Sequence, residues 1–201
     1  MNGVKYKNET VFPTKIVCVG RNYVEHIKEL GNEKPDHMVL FNKPNSAISE
    51  ELYFVSEDNH YEAEISFLVK NGAIVAVGFG FDITKRELQT KLKNKGLPWE
   101  RAKAFDKSAV FSEFVEIETV DALELELRVD GALRQKGTVE LMIYKPEEIV
   151  KEIESFMSLD EYDIVMSGTP KGVGGYKKGE KFQGILKQKS KTLISKSWIV
   201  K

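Results

Sequence analysis

Apolar and polar residues alternate with a period of two along much of the chain, which is the pattern of β-strands with one exposed face. The clearest example lies at 123–129, where leucine and valine alternate with glutamate and arginine. The Asp130-Gly131 pair that follows is typical of a hairpin turn. Other apolar runs predict further strands at 15–19, 38–41, 60–69, 74–80 (running into 81–83) and 163–166, and a β-rich stretch from Lys181 onward.

Helical patterns are shorter and fewer. One helix is predicted over 21–31, with Asn22 as its N-cap and Gly31 at its end. Pro146 is suited to the first turn of another helix, since its ring already has the helical φ. The apolar face of this helix is predicted to consist of Ile149, Ile153, Phe156 and Met157.

A further helix is predicted from Thr84 to about Lys93, because Glu87 follows Thr84 at the spacing of a capping box. Residues 99–114 show neither the strand nor the helix period and are predicted to be irregular. Strands outnumber helices, and no internal repeat or linker interrupts the pattern. The chain is therefore predicted to be one β-dominated α+β domain over residues 1–201, with short peripheral helices.

Composition narrows the function classes. With 41% hydrophobic and 30% charged residues, the chain is predicted to fold around a proper core rather than remain disordered. A net charge of −1 gives no general affinity for nucleic acid or for acidic membranes. Cys18 is the only cysteine, which excludes an intrachain disulfide. No signal peptide and no apolar run of about 20 residues is present, so a cytoplasmic protein that does not enter membranes is expected.

Two glutamates in the 60–69 strand are the first candidates for chemistry. Glu62 and Glu64 are two residues apart, so their side chains share one face of the strand. Asp82 ends the next strand, and a hairpin would bring it beside them. Three carboxylates at one place suit a hard divalent cation such as Mg²⁺ or Mn²⁺. The residues alone also allow a solvated strand face, or ion pairs of the glutamates with nearby lysines, with Asp82 capping the helix at Thr84.

A second candidate is the pair His26 and Glu29, which are three residues apart and so face the same side of a helix. A carboxylate beside an imidazole orients the ring and raises its basicity, as a general base requires. A purely structural histidine remains the alternative at this point. Four cations near strand ends or turns could bind a small dicarboxylate or oxoacid: Arg21, Lys43, Arg86 and Lys103.

The glycine-rich stretch 167–175 lacks the Gly-x-x-x-x-Gly-Lys-Ser/Thr pattern of a phosphate loop, and no helix is predicted after it. Nucleotide binding there is not expected. The stretch instead belongs to an ordered set of short motifs that resembles the fumarylacetoacetate hydrolase family. The matching pieces are Gly20-Arg21-Asn22-Tyr23 with His26 and Glu29, Phe41-Asn42-Lys43-Pro44, Glu62-Ala63-Glu64, Asp82 with Arg86 and Gln89, Gly96-Leu97-Pro98-Trp99 with Ala102-Lys103, and Ser167 to Gly174.

The resemblance covers residues 20–174 and points to the short, single-domain members of the family. It implies a mixed β-sandwich roll, usually a homodimer, with Mg²⁺ or Mn²⁺ (or Ca²⁺ in a crystal) as the bound ion. It also implies a mobile lid over 21–36 that closes over the substrate. The roles it implies are metal ligation by Glu62, Glu64 and Asp82, catalysis by His26, Glu29 and Lys103, and substrate binding by Arg21, Lys43, Arg86, Gln89 and Thr169.

The chemistry that the resemblance implies runs through an enolate. The main expectation is hydrolysis of a carbon–carbon bond in an acylpyruvate, a 2,4-dioxoacid of the fumarylpyruvate or acetylpyruvate class. The alternatives are an oxaloacetate decarboxylase or tautomerase and a 2-hydroxyhepta-2,4-diene-1,7-dioate isomerase. A non-catalytic oxoacid-binding protein is a more remote possibility. Phe81 and Glu87 depart from residues common in the family, which leaves the choice of substrate open.

Overall fold

A computed structural model describes residues 1–29 and 36–201 of the chain. The predicted helix end at Gly31 and the part of the predicted lid at 30–35 lie outside the described residues. The helices are α1 (Val24–Glu29), α2 (Arg86–Asn94), α3 (Glu100–Lys103) and α4 (Pro146–Glu154). The strands are β1 (Val4–Tyr6), β2 (Glu9–Val11), β3 (Lys15–Gly20), β4 (Val39–Pro44), β5 (Ile48–Ser49), β6 (Asn59–Tyr61), β7 (Ala63–Lys70), β8 (Ala73–Asp82), β9 (Thr84–Lys85), β10 (Ala109–Phe111), β11 (Val115–Glu116), β12 (Leu123–Val129), β13 (Ala132–Thr138), β14 (Ile164–Met166), β15 (Gly174–Gly175), β16 (Lys181–Gln188) and β17 (Lys191–Ile199).

The larger sheet is mixed and has the strand order β4-β3-β14-β7-β8-β10-β5, with β11 pairing the outer end of β8. β14 runs parallel to β3 and β10 parallel to β5, whereas the remaining neighbours are antiparallel. Nearly every residue of β7 is buried, because this strand lies in the centre of the sheet with packing on both faces. The β7–β8 hairpin pairs Ala63 with Phe81, which aligns the ends of the two strands.

The smaller sheet is antiparallel, with the order β13-β12-β16-β17. Its inner face packs on the larger sheet through a shared aromatic core. The ring of Phe81 lies 5.7 Å from that of Phe182 and 5.1 Å from that of Trp198, both edge to face. On the same face of the larger sheet, beside the smaller sheet, α4 buries Ile149 and Ile153 against β3 and β14. The opposite face is covered by β1 and β2. The predicted β-dominated α+β class with short peripheral helices is confirmed.

Two details of the first helices differ from the sequence predictions. Asn22 does not cap α1; its amide donates to the carbonyls of Ser167 (2.8 Å) and Tyr144 (3.0 Å), and its side-chain oxygen accepts from the Tyr144 amide. Thr84 and Glu87 do not form a capping box. Asp58 caps α2 instead, with its carboxylate accepting from the backbone amide of Glu87 at 2.6 Å. Long-range partners replace the local ones in both cases.

Two other predictions also need correction. Residues 99–114 are not irregular throughout, because they contain α3 and β10, which are too short to show a period. Phe156 lies beyond the end of α4 and is exposed, so it does not belong to the buried face of that helix. Cys18 is fully buried in β3, as predicted. Within the described ranges, no helix has the length and apolar character needed to cross a membrane.

Candidate active site

The three carboxylates singled out from the sequence meet at the aligned ends of β7 and β8. Glu62 lies just before β7, Glu64 is the second residue of β7, and Asp82 ends β8. The Asp82 amide donates to the Glu62 carbonyl at 2.8 Å, which fixes the two chain segments side by side. One oxygen of each carboxylate lies within 4.8 Å of the others, and all three residues are buried. Their role as metal ligands stays a prediction.

Two cations compensate the negative charge at Glu62. The Lys103 ammonium donates to Glu62 Oε2 at 2.9 Å and to Asp82 Oδ2 at 2.5 Å, and the Arg86 guanidinium pairs with Glu62 Oε1. Burial would raise the pKa of Glu62, but the attraction of Lys103 and Arg86 outweighs it and holds that pKa well below its usual range. Burial likewise would lower the pKa of Lys103, but Asp82 and Glu62 raise it above its usual value. Glu62 is therefore ionised and Lys103 protonated.

Glu64 is less well compensated. Burial and the nearby charges of Asp82 and Glu62 raise its pKa well above the usual range, although the Gly168 amide donates to Oε2 at 2.8 Å. Asp82 Oδ1 forms an ion pair with Lys43 at 2.8 Å but accepts no well-directed hydrogen bond from the described part of the chain. Three carboxylates that face one another, with Glu64 poorly compensated, fit a divalent cation that prefers oxygen ligands.

Lys43 is fully buried and lies behind the carboxylates rather than in the cavity that they face. Its ammonium binds the Lys103 carbonyl at the end of α3, and the carbonyl and hydroxyl of Ser108, each at 3.1 Å. Together with the ion pair to Asp82, these contacts fix α3 against the end of β8. The structure places Lys43 where it supports Asp82 and the end of α3, which carries Lys103. A substrate-binding role for Lys43 stays a prediction.

The carboxylates form the floor of a cavity of about 440 Å³, including its open mouth. It lies between the strand ends, α1 and α2. The predicted site residues that line it are Arg21, His26, Glu62, Glu64, Asp82, Arg86, Gln89, Lys103 and Thr169. Its remaining lining residues are Val19, Gly20, Phe41, Lys93 and Trp99. The structure therefore brings together most of the predicted set and adds an apolar side.

His26 and Glu29 are in contact, as their spacing predicts. The imidazole Nδ1 lies 3.2 Å from Glu29 Oε2, which leaves Nε2 for the cavity. Glu29 does not line the cavity. Its two carboxylate oxygens accept from the Gly172 amide at 3.0 and 3.1 Å, so Glu29 joins α1 to the glycine-rich loop. This contact orients the imidazole and fixes α1 over the site.

The glycine-rich loop owes its path to two residues in the left-handed region. Gly168 has φ +94° and Gly172 has φ +100°. A Cβ at Gly172 would lie 2.0 Å from the Arg134 carbonyl oxygen, and one at Gly168 would lie 2.8 Å from the Asn22 Cβ. Glycine at both positions allows the loop to pass close to β13 and α1 while its amides reach Glu64 and Glu29.

Gln135 is a buried residue of the site that sequence reasoning missed. Its side-chain oxygen accepts from the Ala63 amide at 3.0 Å, and its nitrogen donates to Thr169 Oγ1 at 2.8 Å and to the Pro170 carbonyl at 2.7 Å. Thr169 in turn donates to the Ala63 carbonyl at 2.9 Å. Gln135 thus fixes the loop and the residue between the two glutamates. An isolated glutamine in a strand gives no sequence signal for such a role.

Comparisons with known proteins agree with this architecture. The profile described as "Fumarylacetoacetate (FAA) hydrolase C-terminal" matches residues 15–196. A mitochondrial oxaloacetate tautomerase FAHD1 from Arabidopsis thaliana is 40% identical, covering 84% of each chain. Oxaloacetate tautomerase YcgM from Escherichia coli is 36% identical, covering 83% of this chain and 85% of its own. The crystal structure of fumarylpyruvate hydrolase from Pseudomonas aeruginosa with Mn²⁺ and pyruvate has a TM-score of 0.87 at 28% identity, covering 98% of this chain and 94% of that one.

The family profile spans most of the chain. The relatives align with the chain over most of their own length. The structural match extends the likeness from the motifs to the whole fold, including both sheets and the strand ends that carry the carboxylates. On these grounds, the chain belongs to the fumarylacetoacetate hydrolase family.

Proposed function

We propose that this protein is a divalent-metal-dependent enzyme that interconverts the enol and keto forms of oxaloacetate. The observation that carries the proposal is the buried cluster of Glu62, Glu64 and Asp82 beside a cavity with cationic side chains. Relatives at 40% and 36% identity are named oxaloacetate tautomerases, which favours this reaction over the acylpyruvate hydrolysis expected first from the sequence.

Mg²⁺ or Mn²⁺ is the ion that this donor set suits best. Glu62, Glu64 and Asp82 would hold it, since each offers an oxygen to a common point. The structural neighbour that contains Mn²⁺ supports a divalent metal. A bound ion would act as a Lewis acid toward the carboxylate and 2-oxo oxygens of a 2-oxoacid.

The protein's own residues bind and orient the substrate. Arg86 donates to Gln89 Oε1 at 2.7 Å, and both line the cavity, so their remaining donors are available to substrate oxygens. Lys103 remains protonated at the cavity floor and stabilises the negative charge that develops on the 2-oxo oxygen of an enolate.

Tautomerisation moves a proton between the 2-oxygen and C3 of the substrate. Glu62 is held ionised by its cations and Lys103 is held protonated, so neither is suited to accept a proton. Glu64 and Asp82 would be occupied as ligands of the divalent ion. His26 remains as the cavity residue that can exchange a proton at C3, with Glu29 fixing its ring. Glu29 is thus a positioning residue, and His26 the catalytic one.

Acylpyruvate hydrolysis is the second candidate function. The His26–Glu29 pair is also the arrangement that would deprotonate a water molecule for attack on a distal carbonyl. The likeness to fumarylpyruvate hydrolase over nearly the whole chain supports it. Decarboxylation of oxaloacetate is a related possibility, because one relative from Dictyostelium discoideum at 35% identity is named an oxaloacetate decarboxylase.

One experiment separates the three reactions. Chelator-treated protein is supplied with Mg²⁺ or Mn²⁺ and mixed with enol oxaloacetate, and the decay of enol absorbance is followed while pyruvate release is assayed in parallel. The proposal predicts metal-dependent ketonisation that is much faster than pyruvate release. Acetylpyruvate and fumarylpyruvate are tested in the same way. Rapid cleavage of either, with no acceleration of ketonisation, would contradict the proposal and establish the hydrolase.

Two properties of the assembly stay predictions. The resemblance implies a homodimer, which light scattering after size exclusion would test. A cytoplasmic location was expected from the sequence, whereas several relatives are named as mitochondrial proteins. Localisation of the full-length protein with a C-terminal tag would decide between the two compartments.

A further inference from the structure

Thr84 is a fully buried threonine that lies two residues beyond Asp82. The capping-box pattern predicts that its hydroxyl caps α2, but the Asp58 carboxylate accepts from the first amides of that helix instead. The Thr84 hydroxyl accepts a hydrogen bond from the Lys103 ammonium at 2.6 Å. Thr84 is not among the residues that line the cavity, so it would act on a substrate only through Lys103.

We propose that Thr84 is a positioning residue, which holds the Lys103 ammonium at the cavity floor and so directs its charge toward the oxygen on which an enolate develops. The inference rests on the proposed function in one respect, namely that an enolate forms beside Lys103. It adds the residue that fixes the ammonium there.

The hydrogen bonds of Lys103 show what Thr84 contributes. An ammonium has three hydrogens, and each of them has an acceptor here. The acceptors are Glu62 Oε2 at 2.9 Å, Asp82 Oδ2 at 2.5 Å and Thr84 Oγ1 at 2.6 Å. Glu62 and Asp82 are proposed metal ligands, whereas Thr84 is neutral and has no such role. Thr84 can therefore hold the ammonium independently of the state of the metal ligands.

The Thr84 hydroxyl is oriented so that it accepts from the ammonium. Its single hydrogen points to the Asp82 carbonyl at 3.2 Å, which leaves its lone pairs for Lys103. Thr84 belongs to β9 and pairs with His60 of β6, and its β-branched side chain has few rotamers. Both the backbone and the rotamer therefore hold the acceptor in one place.

The other neighbours of Lys103 do not replace this contact. The centre of the Phe41 ring lies 5.1 Å from the ammonium and attracts its charge, but leaves the three hydrogens to their acceptors. Lys43 binds the backbone carbonyl of Lys103 rather than the ammonium. A lysine side chain is long and flexible, so without the Thr84 hydroxyl one buried hydrogen would lack an acceptor and the ammonium would shift.

The direct test is the hydrogen exchange of the Lys103 ammonium, measured by NMR on Mg²⁺-loaded protein labelled with ¹⁵N-lysine. Its signal is the one that disappears in Lys103→Met. Thr84→Val removes the hydroxyl and nearly keeps the shape, Thr84→Ala removes it without crowding, and Thr84→Ser keeps it. Thr192→Val is the matched control, because Thr192 is an exposed threonine of β17. Melting temperatures show which variants are folded.

We expect slow ammonium exchange in the wild type and in Thr84→Ser, and exchange at least about tenfold faster in Thr84→Val and Thr84→Ala, because one hydrogen bond to a charged group is lost. The kcat for enol–keto conversion should fall by about 10–100-fold in the same two variants, since each 1.36 kcal/mol of barrier is tenfold in rate. Thr84→Ser should restore it, and Thr192→Val should behave like the wild type.

Two results would overturn the proposal. One is unchanged ammonium exchange in both variants that lack the hydroxyl, even if their melting temperatures fall, because Thr84 would then serve only the fold. The other is faster exchange with an unchanged kcat. Because exchange is measured without substrate, it tests the hold of Thr84 on Lys103 even if the protein did not tautomerise oxaloacetate.

Discussion

The two sides of the cavity are built in opposite ways. The carboxylate side consists of Glu62, Glu64, Asp82 and Lys103, which come from a central hairpin and α3 and are at most 5% exposed. The α1 side carries His26, whose partner Glu29 has a third of its side chain exposed. The carboxylate side belongs to the core of the domain. The α1 side lies on top of that core and is carried by a helix of six residues.

This difference indicates that the buried carboxylates and the helix that carries His26 are held in the fold with different strength. Buried charges are costly unless each is paired, so the carboxylate side can exist only as a complete, rigid set. Contacts between α1 and the glycine-rich loop run through exposed groups, such as the Lys171–Glu25 pair at 3.7 Å, and exposed ion pairs contribute about 0–1 kcal/mol. We infer that the carboxylates are rigidly fixed in the fold, whereas α1, which carries His26, is held to the glycine-rich loop by weaker contacts.

The largest effect is expected on the carboxylate side. Glu62→Gln removes one proposed ligand and leaves Lys103 and Arg86 without their shared partner. Activity with Mg²⁺ should fall by at least about 10⁴-fold, since the Lewis acid supplies several kcal/mol. Steady-state kinetics and metal analysis by mass spectrometry check this. Glu124→Gln, on the surface of β12, is the control and should behave like the wild type.

The next effect tests the α1 side. His26→Ala should slow enol–keto conversion by about 10²–10⁴-fold, because the general base is lost. Pyruvate release from oxaloacetate should fall less, because decarboxylation needs no proton abstraction. His37→Ala, an exposed histidine, is the control. Equal losses in both reactions would mean that His26 serves closure of the site rather than proton transfer.

A smaller effect is expected where the two sides are joined. Gln135→Leu leaves the buried Ala63 amide and the Pro170 carbonyl without their side-chain partner. Unfolding free energy should fall by about 1–3 kcal/mol, the cost of such unsatisfied groups. Urea denaturation measures it, with Gln183→Leu in β16 as the control, because its side chain is half-buried and, in the described part of the chain, hydrogen-bonds only to Ser195. A neutral result would show that water or the backbone replaces Gln135.

The smallest effect concerns the orientation of α2. Asp58→Ala removes the carboxylate that accepts from the first backbone amides of this helix and should destabilise the protein by about 1 kcal/mol, as loss of a capping side chain does. The exposed Asp106→Ala is the control. Because α2 carries Arg86, Gln89 and Lys93, KM should rise while kcat changes little. A change confined to kcat would mean that the cap acts on the catalytic step instead.

Local patterns predicted the strands well and the packed network poorly. The two-residue spacing of Glu62 and Glu64 and the hairpin to Asp82 were sufficient to bring the carboxylates together. The cap of α2 was not predictable, because Asp58 comes from an earlier loop. The contacts of Lys43 were not predictable for the same reason, since its partners on α3 and at Ser108 are about 60 residues away.

Lys93 lines the cavity, and Gln135 fixes the glycine-rich loop. The two residues differ in how far the sequence could have predicted these positions. Lys93 follows Arg86 by seven residues, so the predicted helix already placed both on one face. Gln135 has no such signal, because its role depends on how β13 packs against the glycine-rich loop. For the residues of this site, the limit of prediction is therefore tertiary contact.

The central claim is that the carboxylate side holds one divalent ion. The most direct measurement is a titration with Mn²⁺ followed by electron paramagnetic resonance, which distinguishes bound from free ion, on the wild type and on Glu62→Gln. The account predicts one tightly bound Mn²⁺ per chain in the wild type and a large loss of affinity in the variant. No bound ion in the wild type, or the same binding in both proteins, would contradict it.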